Sequence, residues 1–150
     1  MRAFSREKRF RTRSVEGTIA LGQTIAEILM PTPRMAVLRG EVGAGKTTLV
    51  KGIAEALGAA TDEEVTSPTF TLVHEYAGPK VHLFHLDLYR LETEEQIAVL
   101  GLEEMSSQAN ALVLVEWGER FESVASAATA EIAMGQGEAE DERLLVVRWT

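Results

Sequence analysis

Gly40, Glu41, Val42, Gly43, Ala44, Gly45, Lys46 and Thr47 match the pattern G-x-x-x-x-G-K-[ST] at every fixed position. The chemistry served by that spacing is the holding of polyphosphate. Glycines let backbone amides approach anionic oxygens without an intervening Cβ, and a helix starting near Lys46 adds its positive end. Lys46 can reach the outer phosphates as a point charge, and the Thr47 hydroxyl is a ligand suited to magnesium. Such a loop binds without hydrolysing, because the cation and an attacking water also need an acidic group from a neighbouring strand. Two carboxylates qualify. Glu116 ends the apolar run 111–115, and Asp87 ends a segment beginning near Val81, sharing a face with His85 and Tyr89 by two-residue alternation.

Other chemistry-bearing residues are ambiguous on sequence alone. The hydroxyl-rich stretch Thr66, Ser67, Pro68, Thr69, Phe70 and Thr71 reads either as a switch loop meeting a γ-phosphate and magnesium or as ordinary turn chemistry. His82 and His85, three apart on a strand, point to opposite faces and cannot chelate one ion together. Trp117 is either core packing or an exposed anchor.

The surrounding elements supply the context that the loop requires. Ser14 opens a helical pattern through Ile19, Ala20, Ile25, Ala26, Ile28 and Leu29, stopped by Pro31, Thr32 and Pro33. Residues 35–38 read as a buried strand entering the loop. Leu49, Val50, Ile53, Ala54 and Leu57 then form a helix with Gly58 at its end. Residues 64–76 mix β-branched residues with a turn, and 81–88 read as a strand. Thr93 and Gln96 form a capping box for a helix through Ile97 and Leu100 that Gly101 ends. Residues 130–134 and 144–149, flanking a polar loop at 135–143, predict an antiparallel hairpin. The sum is an α/β fold: a three-layer architecture with a mixed, mostly parallel sheet flanked by helices.

The chain has 150 residues, the size of one domain, with 45% hydrophobic and 25% charged residues, which argues against disorder or a fibrous repeat. The absence of cysteine excludes disulfides, thiolate zinc sites and thiol catalysis. Arg2, Arg6, Lys8, Arg9, Arg11 and Arg13 oppose only Glu7 in the first 13 residues, a local charge of +5, so the remainder carries −13 of the total −8. So acidic a body is a poor binder of nucleic-acid phosphates, and only the basic start, read as a solvated terminus or as an edge strand around residues 9–13, suits that contact. No signal peptide and no apolar run of about 18 residues is evident, which predicts a cytoplasmic chain with no membrane contact.

Four motifs stand in one order: Gly40 to Thr47; Thr66, Ser67, Pro68, Thr69, Phe70; His85, Leu86, Asp87, Leu88, Tyr89, Arg90, Leu91; and Val115, Glu116, Trp117. Together they closely resemble the TsaE family (formerly YjeE), small bacterial P-loop ATPases of tRNA threonylcarbamoyladenosine biosynthesis. The similarity covers residues 14–120 and weakens beyond. The resemblance implies binding of ATP and Mg2+ and work with two partners, TsaD and TsaB, which modify adenosine 37 of tRNAs reading ANN codons. tRNA is then met indirectly through the complex, and the isolated chain is expected as a monomer. In family terms the loop with Lys46 and Thr48 binds phosphates, Thr47 and Glu116 hold magnesium, and Asp87 supports hydrolysis or also meets the metal. Trp117 and Thr69 belong to the nucleotide site, and Ser14 to Thr18 lie near the adenine.

Two other classes fit a phosphate loop. A small-molecule kinase needs an arginine-bearing lid, whereas only Arg143 and Arg148 are basic among residues 130–149. A nucleotide-gated binding module would never turn over. No arginine finger is evident, so slow turnover without partners is expected.

Overall fold

The apolar run after Arg34 forms a strand because hydrophobic residues stand on both its faces, and it becomes the middle of a sheet covered on both sides. The computed structural model describes residues 4–31, 34–41, 43–61, 64–68 and 72–150. Arg2, Thr32, Pro33, Val42, Thr69, Phe70 and Thr71, named above, lie outside the described residues. In chain order the elements are β1 (Arg6–Thr12), α1 (Val15–Leu29), β2 (Met35–Arg39), α2 (Lys46–Ala56), β3 (Val73–Ala77) and β4 (His82–Asp87). There follow α3 (Glu94–Ala98), α4 (Leu102–Ser107), β5 (Ala111–Glu116), a 3-10 turn (Gly118–Arg120), α5 (Glu122–Ala127), β6 (Ala130–Gln136) and β7 (Arg143–Trp149).

The seven strands lie in the order β1-β7-β6-β2-β5-β4-β3. β2, β4, β5 and β6 are mutually parallel, and β7 runs antiparallel to both β6 and β1, so the expected hairpin is present. Because β1 runs in the same direction as β6, its end at Thr12 reaches the same sheet edge as the ends of β2, β4 and β5. The basic start is thus an edge strand, longer than residues 9–13 allow, and its exposed charges discourage pairing with another sheet.

Two apolar layers follow from strand alternation. On one face Leu38, Leu83, Leu112, Leu114, Ile132 and Leu145 pack with Ile25, Leu29, Leu49 and Ile53 of α1 and α2. On the other, Val37, Phe84, Leu86, Val113 and Val115 pack with Ile97, Leu102, Phe121 and Val124 of the short helices. The helix expected to run through Leu100 instead stops at Ala98, and Gly101 begins α4 with φ 76° rather than ending a helix. The expected capping box is present at Thr93 and Gln96. Among the described residues between 64 and 76, the last four join a strand. No helix of the described residues is long and apolar enough to cross a membrane.

α1 starts where Ser14 caps it, the hydroxyl accepting from the Gly17 amide at 2.9 Å. It then crosses α2 at backbone distance. A Cβ at Gly52 would lie 2.1 Å from the Ile19 carbonyl oxygen, and one at Gly22 would lie 2.2 Å from the Gly52 carbonyl carbon. This contact fixes the height of α2, and with it the loop that precedes α2. Gly52→Ala should therefore cost about 1–3 kcal/mol of unfolding free energy through overpacking, read as a lower urea midpoint with an unchanged m-value. A midpoint equal to that of the parent would show that the helices part freely.

Candidate functional site

Parallel strands deliver their C-terminal ends to one edge, and that edge gathers the sequence candidates. β2 hands the chain to Gly40, and α2 begins at Lys46 after Gly45, whose φ of 101° is costly for any residue with a Cβ. A cleft of about 750 Å³ opens there, lined by Gly43, Gly45, Lys46, Thr47, Thr48 and Ser67 from the loop side, and by Asp87, Tyr89, Glu116, Trp117 and Arg143 from the strand ends. Ser14 and Thr18 stand apart from this cleft. They line a smaller recess with Gly45, Thr48, Asp141 and Arg143, directly behind the loop. Glu41 borders the main cleft, and Ala44 is buried beneath the turn.

The electrostatic centre is Glu116. Its carboxylate is buried, with one oxygen 3.3 Å from the Lys46 ammonium and the other 2.6 Å from His85 Nε2. Lys46 also donates to the Gly40 carbonyl, so the ammonium is folded back onto its own loop. Burial pushes the Glu116 carboxyl up, but the hydrogen bonds and charges of His85 and Lys46 outweigh it and hold the group below the usual carboxylate range. Asp87 is the register neighbour of Glu116 and is also buried, its Oδ1 accepting from the Tyr89 amide at 2.9 Å.

Strand alternation separates the histidines as expected. His82 is half-buried, whereas His85 is wholly buried and holds Glu116, a pairing that the sequence reading missed. Among the described residues its Nδ1 has no protein partner. Trp117 is half-exposed in a left-handed turn at φ 65°, its ring 5.2 Å from that of Tyr89 and 5.4 Å from the Lys46 ammonium. Arg120 lies 5.4 Å from the Trp117 ring and 5.8 Å from that of Tyr89, and donates through Nη2 to the carbonyls of Leu88, Tyr89 and Leu91. It ties the turn after β5 to the turn after β4.

The oxygen donors at this edge suit a hard divalent cation. Among the described residues no group of three His, Cys, Asp or Glu could hold a metal on its own. Thr47 with one or two of Asp87 and Glu116 is instead the sparse donor set that magnesium accepts when phosphate and water complete its shell.

The family described as Threonylcarbamoyl adenosine biosynthesis protein TsaE matches residues 12–145. The chain belongs to the TsaE family. Two relatives carry the description tRNA threonylcarbamoyladenosine biosynthesis protein TsaE. One, from Nostoc sp., is 43% identical over 109 residues, 71% of this chain and 65% of the relative. The other, from Treponema pallidum, is 38% identical over 123 residues, 82% of this chain and 87% of the relative. The crystal structure of Bacillus subtilis YdiB superimposes with a TM-score of 0.68 at 28% identity, covering 96% of this chain and 86% of that one. The family match reaches into β7, beyond the residues at which the sequence motifs fade.

The position of Glu116 generates a prediction about protonation. A carboxyl held below its unfolded value adds stability that is full above about pH 4.3 and is lost as pH falls through the lowered folded value. His85→Leu removes the shorter of its two contacts and leaves burial less opposed, so carbon-13 NMR should show Glu116 titrating at higher pH than in the parent. An unmoved titration would mean that His85 does not hold the carboxylate.

Proposed function

We propose that this chain is a magnesium-dependent ATP hydrolase that serves tRNA threonylcarbamoyladenosine formation at adenosine 37, acting on a TsaB–TsaD complex and meeting tRNA through it. The observation that carries this reading is the junction of the loop lysine and the strand-end carboxylate, 3.3 Å apart in the lining of the cleft. Magnesium, when bound, neutralises charge on the β- and γ-phosphates and orders the water around them.

The chain's own residues account for the rest. The amides at the start of α2 donate to phosphate oxygens, and the Thr47 hydroxyl would be one ligand of the cation. Lys46 leaves both the Gly40 carbonyl and one oxygen of Glu116 for a phosphate oxygen, and that carboxylate oxygen is then free. His85 keeps hold of the other, so the freed oxygen faces the cleft in a fixed orientation. Asp87, one strand over, stands ready to orient a water or the cation's shell. Trp117 and Tyr89 close the cleft with an aromatic wall, and Ser67 approaches from the hydroxyl-rich loop.

The acidic body agrees with a role beside a tRNA-handling complex. Ala130–Gln136 and Arg143–Trp149 form sheet strands rather than a lid that could close over an acceptor, which disfavours the kinase reading.

Phosphate release and nucleotide affinity test the assignment together. Lys46→Ala should weaken Mg-ATP more than about tenfold, since a charge-assisted bond is lost. Glu116→Gln should retain affinity but lose turnover by about 100-fold or more. Adding TsaB and TsaD to the unaltered chain should raise its turnover. Undiminished turnover in both variants would end the site assignment, and no response to the partners would end the coupling.

A further inference from the structure

Arg143 opens β7, about one hundred residues from the loop, yet its guanidinium is committed to that loop. Nε donates to the Ala44 carbonyl at 2.9 Å and Nη2 to the Gly43 carbonyl at 3.4 Å. Nη1 donates to the carbonyls of Glu140 at 2.7 Å and Glu142 at 2.9 Å, which anchors the side chain to the hairpin turn. Among the described residues no carboxylate forms an ion pair with it. A permanent cation is thus held by four backbone carbonyls, on the border between the main cleft and the recess lined by Ser14 and Thr18.

The peptide geometry gives this grip a directional effect. A trans amide is planar, with its carbonyl and N–H on opposite sides. Fixing the Ala44 oxygen toward Arg143 therefore turns the Gly45 N–H away from it. The Ala44 N–H is already engaged by the Glu41 carbonyl at 3.0 Å, and the first amide returned to the helix is Leu49, bonded to Gly45 at 3.0 Å. Gly45, Lys46, Thr47 and Thr48 thus hold the helix-start amides that lack an intrahelical partner, and Gly45 is the one whose plane Arg143 sets. The register adds a second link, because Arg143 pairs with Thr12, whose hydroxyl is bonded to that of Thr18 at 2.7 Å.

We propose that Arg143 is a positioning residue of the phosphate loop, locking the Ala44–Gly45 peptide in the orientation that receives phosphate and making the C-terminal hairpin a working part of the nucleotide site. This rests on the reading of the loop given under Proposed function. The grip acts on the loop and not on the base, so its loss falls on ligands that engage several loop amides.

The test displaces a fluorescent ADP analogue from the full chain with Mg-ADP and, separately, with AMP, which offers the loop one phosphate. Arg143→Ala should weaken Mg-ADP by about tenfold or more and AMP by less than about twofold, with Arg143→Lys between parent and alanine. Urea unfolding checks that each variant is folded at the assay temperature. Equal affinity of Arg143→Ala and parent for Mg-ADP would overturn the inference, as would an equal loss for ADP and AMP, which marks a general loosening. If Arg143→Ala does not fold, the ADP-to-AMP ratio of Arg143→Lys decides on the same criterion. A parent chain that binds neither ligand refutes the nucleotide site itself, and the inference falls with it.

Discussion

A carboxylate buried between an ammonium and an imidazole is expensive to desolvate and is retained only if both of its oxygens are well paired. Glu116 meets that condition, with Lys46 on one oxygen and His85 on the other. Each partner comes from a different element, so the arrangement exists only when α2, β4 and β5 are seated together. The parallel register that sets Asp87 beside Glu116 sets Leu114 beside His85 at the same time. A slip of one residue would turn each of these side chains to the opposite face of the sheet.

The same constraint explains why so many distant segments meet at one edge. β1, β2, β4, β5 and β6 all end there, while β3 and β7 begin there. The loop, Ser67, Trp117 and Arg143 therefore line one cleft without being near in sequence, and Ser14 meets Arg143 in the recess beside it. The glycine contact between α1 and α2 belongs to this frame, because it settles the level from which the loop springs. Arg120 does comparable work on the far side of the cleft, joining the turns that follow β4 and β5 through three carbonyls.

Local patterns made much of this legible before any coordinates. The glycine-lysine loop, the Ser14 cap, the Thr93 capping box and the buried runs at β2 and β5 are written in contiguous residues whose spacing has one physical reading. The ends of parallel strands then pointed to Asp87 and Glu116. What escaped depends on register or on long reach. His85 and Glu116 are 31 residues apart and meet only through the pairing of β4 with β5. Arg143 is 99 residues from Ala44, and its role becomes visible only once β7 is known to start at the site edge. The short helices α4 and α5 carry too few residues for a clear period, and Gly101 serves equally well after one helix or before the next.

The central claim is that the backbone from Gly45 to Thr48 cradles phosphate beside a released Glu116. A crystal structure of the chain with magnesium and a non-hydrolysable ATP analogue tests it most directly. The account predicts phosphate density on those amides, the cation near Thr47, and the Lys46 ammonium moved from the Gly40 carbonyl to a phosphate oxygen. An empty loop at saturating analogue, or a nucleotide lodged elsewhere while Lys46 stays on Glu116, would contradict it.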